Sequence, residues 1–436
     1  MTMIHPYIQS LSILNMMNRN YASMTKHMKH ITTGLRISSV ADDPSGWAIG
    51  TRMSIEVRGL EQASRNAQYS QSMLKVAEGA ASSTVDILRT LKEKAIEAAN
   101  DTCTDSDRRT IQKLFDQYAD QIDDNALVTY NGKYLLDGSH NGAAQAAQQA
   151  YTNSSLSKGT AAATKLTDLA RRDGSQLNIL AGDTVNVSYV KDGKTYSTSY
   201  EAGTTTLGDI FTKANGIGSA VFDISGMDGS STIGTDSSGA AVTTPDDEGA
   251  VTVKAKTAGT VGAVSGFTIS ITDKNGQVRK SVDSALDNFT ETIQPRDASA
   301  DNSLYTQTGT KSNQGMKTQL GDLRSTALGL KGSDGTVLDV TTQKGATAAI
   351  NVLDNALSRA LDQQTTIGAQ SSRLDYTISN LTTQSENVTA AMATIMDADM
   401  AKEITEYTRD RILLQAAQAM LAQSNQNMAW FLSLLK

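Results

Sequence analysis

A 3-4 spacing of apolar positions runs from Ile350 to Ile395 for nearly seven heptads. The positions are Ile350, Leu353, Leu357, Ala360, Gln364, Ile367, Ser371, Leu374, Ile378, Leu381, Ser385, Val388, Met392 and Ile395, and eleven of the fourteen are apolar. So strict a repeat predicts a helix, about 346–395, that lies along another helix. The N-terminus answers with Leu14, Met17, Tyr21, Met24, Met28, Ile31 and Leu35 at the same spacing, and Gly34 stops the helix predicted over 1–34. Asp43-Pro44 then opens a second long helix, to about Asn100: Asp caps the free amides, and Pro sits where its missing N–H costs nothing. Leu60, Ala63, Ala67, Ser70, Leu74, Ala77, Ala81, Leu88, Leu91 and Ala95 keep the heptad in it. A shorter helix is expected at about 106–124. After the polar interruption Asp397-Ala398-Asp399, a last amphipathic segment, 400–436, has an apolar face too wide for a lone solvated helix. Two such stripes at opposite ends must bury against each other and against neighbouring copies, which predicts a self-assembling structural protein.

Between about 140 and 340 the period changes to two, and Ala, Gly, Ser and Thr dominate. Val185, Val187 and Tyr189 alternate with polar residues before the tight turn Asp192-Gly193 and a second strand, Thr195–Tyr200. Phe267, Ile269 and Ile271 alternate likewise before Asn275-Gly276. Asn131-Gly132 and Asp137-Gly138 mark further turns, 206–216 reads as a short helix, and the Gly/Ser stretch 225–240 reads as a loop. The expected fold class is therefore mainly α, with long coiled-coil-like helices from both termini and an inserted β-rich central module: an α+β multidomain chain. Its expected divisions are 1–42, 43–174, 175–305, 306–396 and 397–436.

The chain of 436 residues carries a net charge of -7 with no block of like charges, so nucleic acid is not an expected partner. No proline follows Pro295, which leaves room for uninterrupted helices. The apolar run at the C-terminus, Trp430-Phe431-Leu432 with Leu434 and Leu435, is too short to span a bilayer, and residues 1–20 lack the basic and apolar regions of a leader. Export without a cleaved signal peptide is the expectation. Cys103 is the only cysteine, which excludes an intrachain disulfide. His27 and His30 stand three apart on one helix, but no Cys or acidic ligand neighbours them in sequence. No Walker loop, Rossmann fingerprint, zinc motif or nucleophile elbow occurs, so no catalytic residue, cofactor or metal is expected.

The stretch Ile31-Thr32-Thr33-Gly34-Leu35-Arg36-Ile37-Ser38-Ser39, with Ala41-Asp42-Asp43-Pro44-Ser45-Gly46, resembles the connector of bacterial flagellins. Gly59-Leu60 with Gln62-Ala63-Ser64-Arg65-Asn66-Ala67 is similar to a helix segment of that family. So, at the other end, are Asn380-Leu381, Ile395, Asp397, Gln415-Ala416, Leu421-Ala422-Gln423-Ser424-Asn425-Gln426 and Leu432-Ser433-Leu434-Leu435-Lys436. The likeness covers about 1–140 and 310–436.

The resemblance implies an extracellular filament for swimming motility, built from very many copies. Residues 1–42 and 397–436 would line an inner tube, 43–174 and 306–396 would form an outer tube, and 175–305 would project as a variable surface module. Self-assembly would fall to Leu11, Leu14, Met17, Tyr21, Met24 and Met28 at one end. Leu413, Met420, Leu421, Phe431, Leu432 and Leu435 would serve at the other, with Arg36 and Asp43 fixing the connector. Expected partners are copies of the chain, cap and junction proteins, and an export chaperone. Flagellins sensed by innate-immune receptors carry an arginine, a leucine and a glutamate on the outer helices. Those places hold Thr90, Lys94 and Leu114 here, which implies a weak receptor response. A hook-filament junction protein shares the helical ends and is the alternative in the same class. A surface adhesin, with 175–305 as its binding part, is the alternative from another class, and an inserted enzyme is a third.

Overall fold

The computed structural model describes residues 6–217, 221–227, 229–244 and 248–434. Its helices are α1 (Pro6–Thr33), α2 (Pro44–Ala99), α3 (Asp105–Ala126), α4 (Leu207–Asn215), α5 (Lys280–Leu286), α6 (Gln343–Met396) and α7 (Met400–Leu434). Two short strands, β1 (Thr129–Tyr130) and β2 (Lys133–Tyr134), follow α3. The β-rich part holds β3 (Ala150–Asn153), β4 (Thr184–Lys191), β5 (Lys194–Glu201), β6 (Phe222–Asp223), β7 (Thr232–Thr235), β8 (Ala241–Thr243), β9 (Val251–Ala255), β10 (Ser265–Thr272) and β11 (Thr290–Ile293). A last pair, β12 (Leu304–Gln307) and β13 (Gly315–Thr318), precedes α6. Long helices from both ends and a β-rich middle are the predicted class.

The chain divides into two compact units: Met1–Gln68 with Gln307–Gln314 and Tyr376–Lys436, and Tyr69–Thr306 with Gly315–Asp375. In the first unit α1 and α7 run antiparallel, the Ser10 and Ser424 hydroxyls meeting at 3.0 Å near one end and Leu35 bridging Asp397 at the other. Leu60, Ala63 and Leu381 form a small buried cluster there, with Val388 against it. None of the fourteen heptad positions from Ile350 to Ile395 is exposed, so the repeat marks a covered face of α6 along its whole length.

In the second unit, α3 opens on a capping box: Asp107 N–H donates to Thr104 Oγ1, and Thr104 N–H donates to Asp107 Oδ2. Ile111, Phe115, Ala119, Ile122 and Ala126 are its buried stripe. The predicted hairpin joins β4 to β5, with Asp192 and Gly193 both at positive φ in the two-residue turn. Strand order is β10-β4-β5 in one antiparallel sheet and β11-β3-β9-β6 in another. Phe211, Phe222, Phe267 and Phe289, four of the chain's six phenylalanines, interlock with ring centroids 5.0–5.8 Å apart. A chain poor in aromatics builds this core by concentrating them. β10 lies at a sheet edge, and Asp287 and Asp283 accept hydrogen bonds from Ile269 N–H and Ile271 N–H at 2.9 and 2.7 Å. These carboxylates block the edge against a foreign strand.

Two expectations differ from what forms. The segment 225–240 is not a plain loop: β7 within it pairs with β8, and Ile233 is buried against Ile293, Ala147 and Ala150. One isoleucine in Gly/Ser surroundings anchors the hairpin, too little to register as alternation. The pairing that leads into β3 also lies well before residue 175, at Ala144↔Ser299 and Ala147↔Arg296. All four residues of β3 are buried, so it carries no in-out alternation to read.

Candidate functional site

The α1–α7 pair buries a different stripe from the one the sequence favours. Ser10, Ile13, Met17, Asn20, Met24, His27 and Ile31 are half-buried at a 3-4 spacing. On α7 their counterparts are Glu403, Tyr407, Asp410, Leu414, Ala417, Leu421 and Ser424, all covered at the same spacing. Met17, Met24 and Leu421 thus lie on covered faces. Leu11, Leu14, Tyr21 and Met28 lie open instead, Tyr21 at 59% and Met28 at 51% exposure. On α7 Ile404, Ile412, Leu413 and Met420 are open too, Met420 at 61%. Of the two partners expected for the sequence-favoured stripe, the other terminal helix and neighbouring copies, α7 leaves Leu14, Tyr21 and Met28 open. Ser10 meets Ser424 and His27 meets Glu403 across the pair, so that stripe closes and the greasier ones stay open. The side chains of Phe431 and Leu432, and all of Leu435, lie outside the described residues.

The connector is fixed by both ends of the chain. Gly34 closes α1 in the left-handed region at φ +70°, with its N–H on His30 O at 2.8 Å. Arg36 N–H and Ile37 N–H donate to Met396 O, Ala398 N–H donates to Gly34 O, and the Arg36 guanidinium reaches Ile395 O. Asp42 Oδ2 accepts from the amides and hydroxyls of both Ser38 and Ser39 at 3.0–3.2 Å. Asp43 Oδ1 accepts from Ser45 N–H and Oγ–H at the start of α2. A Cβ on Gly46 would lie 2.5 Å from Ile37 Cδ1, which is why glycine stands there.

The hydrogen bonds from Ser39, then Ser38, draw the Asp42 carboxyl down to about 2. A depressed carboxylate contributes stability above its ordinary pKa and loses it as pH falls through the depressed one. Asp42→Asn should lower the melting temperature by a few degrees at neutral pH and flatten the loss between about pH 4 and pH 2, as a melting series against pH will show. An unchanged profile sinks this role.

His27 and His30 are not without an acidic neighbour, as their sequence surroundings suggested. Glu403 arrives from α7, its Oε2 2.5 Å from His27 Nδ1 and its Oε1 3.2 Å from His30 Nδ1. Burial works against the Glu403 charge, yet the hydrogen bonds with both imidazoles outweigh it and hold the carboxyl below its usual range. In the second unit Thr90 is half-buried, with its hydroxyl on Asp86 O. Lys94 pairs with Glu97 at 2.7 Å, and Leu114 is half-buried.

Residues 4–141 match the model of the bacterial flagellin N-terminal helical region, and 350–435 match that of the C-terminal helical region. A flagellin of Clostridium tyrobutyricum is 32% identical over 425 residues, covering 97% of this chain and 99% of its own. The chain belongs to the bacterial flagellin family. The B-type flagellin of Pseudomonas aeruginosa is 29% identical and covers 99% of both chains. Among solved structures, hook-associated protein 3 of Legionella pneumophila covers 79% of this chain and 98% of its own at 13% identity and a TM-score of 0.34. A likeness that low does not bear on the choice between filament and junction. As a flagellin, the chain is a structural protein of the bacterial flagellum: the subunit of a helical filament outside the cell. Among the described residues no helix is long and apolar enough to cross a membrane.

Proposed function

We propose that the subunits join through the open apolar rows of the α1–α7 pair. The observation that carries this is the exposure of Leu11, Leu14, Tyr21 and Met28 beside that of Ile404, Ile412, Leu413 and Met420. Such rows are costly in water and are relieved when copies stack. A contact that does not close into a ring gives an open filament. In this reading 1–42 and 397–436 form the inner tube, 43–174 and 306–396 the outer tube, and 175–305 the variable outer surface. Arg36 and Asp43 hold the bend between the first two helices. The role is structural, without catalysis. Cap and junction proteins meet the same rows at the filament ends, and an export chaperone covers α7 before secretion. A chain lacking residues 1–33 and 400–436 should stay in the supernatant on sedimentation while the full chain pellets. Ordinary fibres from the truncated chain would end this reading.

The receptor proposal rests on charge. Lys94 brings an ammonium, held by Glu97, to a place where the sensed flagellins carry leucine. Purified monomer should stimulate a flagellin-receptor reporter cell at least about tenfold more weakly than a strongly sensed flagellin, which corresponds to about 1.4 kcal/mol. The double variant Thr90→Arg, Lys94→Leu should recover part of the response. A full response from the unaltered chain would refute the proposal.

A further inference from the structure

We propose that His27, His30 and Glu403 bind a divalent transition metal of the zinc class and so clip α1 to α7. The two histidines share one face of α1, and α7 delivers the carboxylate. One ligand atom from each lies within 4.8 Å of the others. The imidazole planes stand at 85° with centroids 6.2 Å apart, so the rings converge on Glu403 rather than stack. Two nitrogens and a carboxylate oxygen form a borderline donor set of the kind zinc takes. Zinc bonds of about 2.0–2.2 Å put ligand atoms roughly 3.3 Å apart. The two Nδ1–Glu403 distances, 2.5 Å to Oε2 and 3.2 Å to Oε1, lie below that value, so His27 and Glu403 must rotate apart to seat an ion while His30 is already near the required spacing.

A second observation points to a cation at the same place. Asp410 is 3% exposed, yet its Oδ2 has no hydrogen-bond partner among the described residues. Asp410 Oδ2 lies 3.8 Å from His27 Nε2. When His27 binds metal through Nδ1, its proton sits on Nε2, and Asp410 is the carboxylate that orients it. The charges agree. With neutral imidazoles, Glu403 and Asp410 bring two negative charges to a mostly buried spot, and the nearest fixed cation is Arg409, itself 3.6 Å from Asp410 and largely in solvent. A divalent ion balances that pair, and burying it unbalanced is expensive. The clip needs only α1 beside α7 in one subunit, so it stands apart from how copies join.

The test uses the full chain, stripped with a chelator and dialysed against zinc chloride, as monomer and as sedimented polymer. Bound zinc is read per subunit by atomic emission, and polymer mass in the same samples scores assembly separately. The expected result is one zinc per subunit, and cobalt chloride in its place should give the intense visible absorption of a tetrahedral ion. The variant H5Q/C103S/H140Q, which removes the other His and Cys and leaves the site intact, should bind equally. H27Q/H30Q and E403Q should each lose at least about tenfold in zinc affinity, and D410N about tenfold with all three ligands present. The proposal falls if wild-type protein takes up less than about a tenth of an equivalent, or if binding is lost in H5Q/C103S/H140Q. It also falls if H27Q/H30Q binds like wild type. Unchanged binding in D410N overturns the orienting role of Asp410.

Discussion

Placing aspartate at Leu14 and Met420 together should stop filament growth while leaving the subunit folded. Both side chains are open on the α1–α7 pair, Leu14 at 39% and Met420 at 61%, and neither belongs to the stripe that joins the two helices. The substitution therefore acts on contacts between copies. A carboxylate driven into an apolar contact without a partner costs several kcal/mol. Every subunit repeats the cost, so the critical concentration should rise by about three orders of magnitude, equivalent to about 4 kcal/mol. Sedimentation across a concentration series reads the shift, and far-UV circular dichroism checks the fold. Val261 in the second unit is at least as exposed, at 71%, but has no place in the proposed contact, so Val261→Asp should polymerise normally. Wild-type polymer from the double variant, or loss of polymer from Val261→Asp, would remove the open rows as the joining surface.

Much of the helical frame was legible because its devices are local. The heptad of α6, the Asp43-Pro44 start of α2 and the Asp192-Gly193 hairpin turn are each set by spacing or by one dihedral preference. The choice of face on α1 was not. Two stripes there share the 3-4 spacing, and greasiness alone selects Leu14, Tyr21 and Met28. The structure closes the other stripe because Ser10 meets Ser424 and His27 meets Glu403, partners 414 and 376 residues away in sequence. A chain whose greasiest helix faces stay open in the single subunit defeats the rule that they turn inward. The carboxylate beside His27 and His30 escaped notice for the same reason: proximity along the chain was the test, and α7 supplies the ligand. β3 was missed because burial on both faces erases its period.

A second large effect is expected at Arg359, where α6 meets the β-rich part within the second unit. Its side chain is 10% exposed and its guanidinium lies 2.5 Å from Glu291, itself 6% exposed on β11. Arg359 also donates to Ala327 O at 3.1 Å. Gln149 joins by donating to Glu291 and to the Tyr151 hydroxyl, while its own oxygen accepts from Val264 N–H at 2.7 Å. Tyr151 donates in turn to Val264 O at 2.6 Å, and Asn355 donates to the Tyr151 hydroxyl from α6. Burial, then the Glu291 charge, pushes the phenol far above its ordinary range, so Tyr151 stays a neutral donor. The members polarise and hold one another, although the buried Arg359 Nε has no hydrogen-bond partner among the described residues. Arg359→Met strands the Glu291 carboxylate and should cost about 3–5 kcal/mol, the price of one unpaired buried charge. Adding Glu291→Met removes that charge, so the double variant should be markedly more stable than Arg359→Met alone, a coupling that denaturant melts of all four proteins measure in one cycle. Purely additive losses would mean that the two side chains do not depend on each other. The pair then would not be what keys the β-rich part onto α6, and the packing of Gly266 against Ala348 and Val352 would have to supply the specificity by shape alone.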